Sequence, residues 1–188
     1  SGAFYSCLQL KSVTLPDSLV SIGDMAFGLC WDVTSVTIGS KLTTLGCNVF
    51  SQCSSVKAFD VSEQNNCFCS EDGVLFTKDK RTLIAYAAAR AAIYNIPAGV
   101  DSIGDYAFYF CNNLISLTVP ESVTSIGESS FQNCTRLSSF TLPGSLTSIE
   151  KSAFMHCRSF TSIAIPTNVT TIDSLAFKCC KALTEIVV

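Results

Sequence analysis

Phenylalanine and cysteine return together along this chain at a fixed interval, and that periodicity limits its possible folds more than any other feature. The pattern F-x-x-C occurs at Phe4/Cys7, Phe27/Cys30, Phe50/Cys53, Phe108/Cys111, Phe131/Cys134, Phe154/Cys157 and Phe177/Cys180. Successive pairs lie 23 residues apart, except that 58 residues separate Cys53 from Cys111. That gap holds one ordinary interval and one unit of 35 residues, about Phe59 to Ile93, which lacks the mark. Six full 23-residue units, the long unit and partial ends of 12 and 3 residues account for all 188 residues.

The unit spanning residues 117–139 shows the physical logic. With the preceding Leu114, its apolar columns are Leu117, Val119, Val123, Ile126, Phe131 and Cys134. One coil of this length cannot enclose them, but stacked coils bury them against their neighbours in a continuous core. Leu114, Leu117 and Val119 end in the alternation of a strand. Val123–Ile126 reads as a second short extended piece, and Pro120 stops the first because proline donates no ladder hydrogen bond. Gly-Asp/Glu-x-x-Phe follows, as in Gly104-Asp105-Tyr106-Ala107-Phe108. It predicts a short helical turn, with Asp24, Asp105 and Glu128 at the helix start, where unpaired N–H groups favour an acid. Glu150 and Asp173 replace the glycine in two units, so left-handed backbone is not what the glycine is for.

These residues resemble the BspA-like, or Treponema-type, branch of the leucine-rich-repeat proteins. The matching pattern is L-x-x-[IV]-x-[IL]-P-x-x-[VL]-x-x-I-[GD]-x-x-A-F-x-x-C, and it covers essentially the whole chain. Departures are mild: Gly39 stands for the proline, Cys47 for the acid and Ser130 for the alanine. The resemblance implies a repeat solenoid, a right-handed superhelix with a parallel β-sheet face and short helical turns. It also implies a surface-exposed or secreted protein of a bacterium or parasitic protist, associated with adhesion to host cells, matrix proteins or other microbes. The chain reads as one solenoid, 1–188, cut from a longer protein.

The long unit is similar to the β-hairpin insertion of that family. Asp72-Gly73 between Cys67–Cys69 and Val74–Phe76 is a hairpin turn by itself. Lys78–Arg81 forms the next turn, and the expectation is a small antiparallel sheet projecting from the solenoid. Its aromatic residues Phe68, Phe76 and Tyr86 are candidate contact residues, since irregular insertions in repeat proteins often carry the binding surface.

Stacking would place neighbouring column cysteines about 5–6 Å apart, within reach of a disulfide. The competing reading is a small buried thiol repeated because the turn repeats. There are eleven cysteines, so one at least stays out of any internal pair. C-x-C at Cys67/Cys69 and C-C at Cys179/Cys180 are poor zinc spacings. No metal or cofactor is expected. His156 is the only histidine, and its neighbour Cys157 belongs to the core column. No phosphate loop, dinucleotide fingerprint or zinc-protease motif occurs, so no catalytic residue is assigned and no enzyme is expected.

The formal net charge is −3 and the 12 Lys and Arg are scattered along the sequence. That gives no basic stripe for phosphate backbones, and nucleic acid is not an expected partner. The most apolar stretch, Leu83 to Ile93, is too short to cross a membrane and carries Arg90. Asn133-Cys-Thr135 and Asn168-Val-Thr170 are glycosylation candidates, two being about what this composition yields by accident.

A solenoid presents its sheet as a long binding face. The outward strand residues are Ser12, Thr14, Ser35, Thr37, Ser116, Thr118, Ser139, Thr141 and Ser162, joined by Ala58, Asp60, Ala164, Glu185 and Val187. Seven strands at about 4.8 Å would make one ladder some 34 Å long. The expected function is a non-catalytic adhesion module for a host, matrix or cell-surface protein. The alternatives are a structural stalk with no ligand of its own and, more remotely, a water-ordering hydroxyl ladder.

Overall fold

The computed structural model describes residues 1–188, which form seventeen β-strands and no helix. The chain divides into two compact units, Ser1–Arg90 and Ala91–Val188. In both, the repeating element is a coil with two short strands and a turn.

The first unit begins with β1 (Ser12–Leu15) and β2 (Ser21–Ile22), followed by β3 (Ser35–Ile38) and β4 (Thr44–Leu45). The long coil opens with β5 (Ala58–Val61). Strands β1, β3 and β5 pair in parallel, each residue facing its equivalent 23 positions on, as in Val13↔Val36 and Val36↔Phe59. A slip of one residue would turn Val13, Val36 and Phe59 out to solvent, so burial on one face enforces the register.

The second unit repeats the scheme with β9 (Ile93–Asn95), β10 (Ser102–Ile103), β11 (Ser116–Thr118), β12 (Ser125–Ile126), β13 (Ser139–Phe140), β14 (Ser148–Ile149), β15 (Ser162–Ala164), β16 (Thr171–Ile172) and β17 (Glu185–Val187). Parallel sheets β9-β11-β13 and β15-β17 line one side, and β10-β12 and β14-β16 line another. The phenylalanines of the repeat column stack face to face. Phe4, Phe27 and Phe50 lie 5.0 and 5.8 Å apart in the first unit. Phe108, Phe131, Phe154 and Phe177 lie 4.9, 5.2 and 5.4 Å apart in the second.

The expected hairpin is present as β6 (Phe68–Glu71) and β7 (Val74–Thr77), antiparallel around Asp72-Gly73, with β8 (Thr82–Ala85) returning along β7. It does not project. Val74, Leu75, Phe76 and Leu83 are all at 0% exposure. The hairpin seals the free edge of β5, where the Phe59 N–H donates to the Gly73 carbonyl at 3.0 Å and the Val61 N–H to the Ser70 hydroxyl at 3.3 Å. Asn65, fully buried, ties the insertion to the coil before it. Its Nδ2 donates to the carbonyls of Gly39 and Leu42 at 2.8 and 3.0 Å, and its Oδ1 accepts from the N–H groups of Cys67 and Phe68, both at 2.8 Å.

The F-x-x-C segment is not helical, because its peptides are needed by other coils. The N–H groups of Met25, Phe27 and Leu29 donate to the carbonyls of Cys47, Val49 and Ser51 at 3.0, 2.9 and 2.9 Å. Tyr106, Phe108 and Phe110 do the same toward Glu128, Ser130 and Gln132. Alternate peptides therefore point along the stacking direction, while those between them close i→i+3 turns such as Gly28 N–H to Met25 O. Left-handed backbone at two places per turn makes this alternation possible, for example Met25 (φ 52) with Leu29 (φ 60) and Ser152 (φ 56) with His156 (φ 63). Each costs about 1–2 kcal/mol for a non-glycine residue, and the inter-coil hydrogen bonds offset that cost.

The column cysteine completes the same turn. All eleven cysteines are free thiols. Cys53 donates its S–H to the Phe27 carbonyl at 3.1 Å, Cys134 to Phe108 at 3.0 Å and Cys157 to Phe131 at 3.0 Å. The Phe27 carbonyl also accepts the Cys30 N–H, so both its lone pairs are used. Burial raises the Cys53 pKa from 9.0 to about 12, and desolvation pushes Cys134 and Cys157 well above the ordinary value.

Asp24 and Asp105, expected at helix starts, instead reach into the next coil. Asp24 accepts the Cys47 N–H at 2.8 Å and Asp105 the Glu128 N–H at 2.7 Å. This explains the glycine column. A Cβ on Gly127 would lie 2.6 Å from the Asp105 nitrogen, and one on Gly46 would strike Asp24 likewise. Glu150 is tolerated because the preceding coil carries Glu128, which turns outward to Lys151 at 3.2 Å.

Replacing Asn65 by alanine strands four backbone groups, three of them on buried residues, so a loss of about 3 kcal/mol is expected in urea unfolding. Gly127→Ala should cost about 2 kcal/mol or more by the same measurement, and pairing it with Asp105→Ala should return part of it. The buried thiols of Cys53, Cys134 and Cys157 are protonated in both states well below pH 9.0, the ordinary value, while above it they ionise in the unfolded chain and folded Cys53 keeps its proton to about 12. Stability should therefore fall as pH rises across that window. A Cys134→Ala/Cys157→Ala variant should show a shallower decline in urea midpoint.

Candidate functional site

The strand face carries the hydroxyls that the sequence assigns to it. In the first unit Ser12 pairs with Ser35 and Thr14 with Thr37, and the rows end at Ala58 and Asp60. All face outward, Thr37 half-buried and the others exposed. In the second unit Ser116 pairs with Ser139 and is flanked on its other side by Ile93, which is 65% exposed. Ser162 pairs with Glu185.

The single long ladder is replaced by separate short sheets. In the first unit the hairpin takes the edge of β5, where the next parallel strand would pair. In the second, β13 has only two residues, Thr141 lies beyond its end, and β15 pairs only with β17. In β13 Phe140, between Ser139 and Thr141, is half-buried and packs at 5.4 and 5.2 Å against Phe131 and Phe154.

At this break the surface is concave. A depression of about 160 Å³ is lined by Ser116, Thr118, Ser139 and Thr141, with Leu117 and Phe140 between them and Glu121 and Pro143 at its end. Four of the nine sheet-face candidates thus converge on one place. The Glu121 carboxylate is fixed there by the Gly144 N–H at 2.8 Å. The arrangement offers hydroxyl donors and acceptors, one anchored acid and a partly apolar floor. Sequence reasoning missed Glu121, which sits in the proline turn rather than in a strand.

The insertion aromatics are a correction. Phe68, Phe76 and Tyr86 are at 7%, 0% and 5% exposure, so they fill the interior of the first unit and are not available as contact residues. Burial wins because the hairpin lies flat on β5 and must hide its apolar side. What it shows to solvent is charged. Lys80 pairs with Glu71 at 2.9 Å, which raises its pKa, and a hydrogen bond from the Thr77 hydroxyl lowers that of Asp79.

Asn133 is half-buried in the left-handed position of its turn, φ 62, and Asn168 is exposed with its Nδ2 donating to the Gly144 carbonyl at 2.7 Å. His156 occupies the same turn position as Asn133, one coil later, and its Nδ1 is buried without a partner. Cys157 beside it donates to a carbonyl and has a raised pKa, the reverse of what a nucleophile requires. No helix is long and apolar enough to cross a membrane.

The fold is similar to a leucine-rich cell surface protein of Faecalibacterium prausnitzii, at TM-score 0.81 and 28% identity, over 100% of this chain and 62% of that one. It is also similar to the pneumococcal vaccine antigen PcpA, at TM-score 0.84 and 28% identity, over 95% of this chain and 50% of that one. The chain therefore spans about half to three-fifths of the length of these relatives. A Treponema pallidum leucine-rich-repeat protein shares the fold at TM-score 0.52 and 23% identity, covering 94% of this chain and 68% of that one. No curated protein sequence matches. The sequence matches the family described as BspA type leucine rich repeat region, in six copies over residues 1–72 and 85–188. Stacked parallel coils, the phenylalanine and thiol columns and this match agree, and the chain belongs to the BspA-type leucine-rich-repeat family.

Proposed function

We propose that this chain is a non-catalytic binding module of a cell-surface or secreted protein, holding a host or extracellular-matrix protein on its strand face. The observation that carries the reading is the depression in the second unit, where Ser116, Thr118, Ser139 and Thr141 meet over a partly apolar floor. Adaptable hydroxyls around apolar contact suit a protein ligand. Similarity to a bacterial leucine-rich cell surface protein and to a pneumococcal antigen supports exposure outside the cell.

The test is capture of matrix and host-surface proteins on the immobilised 188-residue chain, followed by titration of the captured protein. Thr118→Arg with Thr141→Arg fills the depression without touching the core. Binding should weaken by about tenfold or more, the scale of a central contact. Unchanged affinity would remove this face from the account, and no capture at all would favour a stalk that only extends a more distal head.

A further inference from the structure

A second surface follows from charge. Residues 129–184 hold five Lys and Arg against two acids, whereas the rest of the chain holds seven against thirteen. Arg136, Arg158, Lys178 and Lys181 are exposed in the second unit, and no side-chain hydrogen bond or ion pair engages them. All four flank the F-x-x-C turn: Lys178 lies between Phe177 and Cys180, and the others follow the column cysteines by one or two residues.

Folding brings Arg136, Arg158 and Lys181 together, with Lys178 on the adjoining turn. The position after each column cysteine forms a stack, shown by the Thr135 hydroxyl donating to Asn112 Oδ1, 23 residues earlier, at 2.8 Å. Arg158 and Lys181 take the next two places in that stack, about one strand spacing apart. Arg136 lies two residues past Cys134, beside Thr135. Elsewhere the fold pairs its charges across coils. In the first unit Asp32, at the place Arg136 holds in the second, meets Lys11 at 2.6 Å, and in the second Lys151, the fifth cation of the segment, meets Glu128 at 3.2 Å. The two acids of the segment lie at the opposite end of the turn and are engaged there, Glu150 by the Ser148 hydroxyl and Asp173 by the Ser174 N–H. Stacked like charges repel one another, and an anion laid along the edge would relieve that.

We propose that this edge binds a linear sulfated polysaccharide. A guanidinium fork can donate to two oxygens of a sulfate group at once, as it does with phosphate, and cations repeating coil by coil match the repeating charges of a flexible glycan. A duplex or a membrane would bring a far larger anionic surface against a chain whose formal net charge is −3. This surface is separate from the strand face, and the two proposals stand or fall independently.

The experiment titrates the 188-residue protein with heparin, hyaluronan, phosphatidylserine-containing vesicles and a DNA duplex at about 50 mM salt. Heparin should bind, and hyaluronan, which lacks sulfate, should bind at least about tenfold more weakly. Substituting Arg136, Arg158, Lys178 and Lys181 by serine should abolish binding, and each single change should lower the salt slope by about one. The same substitution of Lys78, Lys80 and Arg81 on the hairpin should leave affinity unchanged. Absence of heparin binding, retention by the fourfold variant, equal loss in the hairpin variant, or vesicles or DNA binding as tightly as heparin would each overturn the assignment.

Discussion

A coil of this protein satisfies its strands and alternate peptides of its turn only through its neighbours. The N–H of Phe27 has its acceptor at Val49 and that of Phe131 at Ala153, each 22 residues on. The strands add partners at exactly one repeat, Val13 to Val36 and Leu117 to Phe140. Removing a coil would therefore expose a stacked phenylalanine ring and three axial peptides at once. Contacts of this kind are nearest-neighbour in nature, so stability accumulates coil by coil rather than around one centre. The cysteine belongs to this scheme as a donor. Its proton occupies the second lone pair of a phenylalanine carbonyl, which is why the thiol is buried, neutral and repeated.

Much of this was legible in the sequence because it repeats. Phe4 to Phe177 and Cys7 to Cys180 mark the columns, Asp72-Gly73 marks the hairpin, and Ser and Thr at alternate strand positions mark the outward face. Other parts were hidden for physical reasons. The left-handed turn positions hold Leu29, Phe110 and His156, none of which advertises that backbone, since the inter-coil hydrogen bonds impose it from outside. Asn65 has no counterpart in any other unit, so no column points to it. Phe68, Phe76 and Tyr86 read equally well as surface or core, and only the packing of the hairpin against β5 decides. Arg136, Arg158 and Lys181 are scattered in sequence and gather only once coils are laid on one another.

The two surfaces differ in what the fold does for them. The strand face gains its concavity where β13 stops short, with Phe140 packed against Phe131 and Phe154 and Thr141 beyond the strand's end. The basic edge gains its strength from regularity, because stacking repeats one position at short intervals. A solenoid can thus produce a shaped site by breaking its pattern and a charged site by keeping it.

Asp24 over Gly46 and Asp105 over Gly127 have a consequence for ancestry. An aspartate in one coil fixes what its successor can carry, and the outward-turned Glu128 is what lets Glu150 follow. Two coils that look alike in isolation are not interchangeable, and a permuted array would set an aspartate beneath a residue with no room for it. Growth by tandem duplication must copy compatible neighbours together, which makes the order of the coils, as well as their content, part of the heritable specification of the protein.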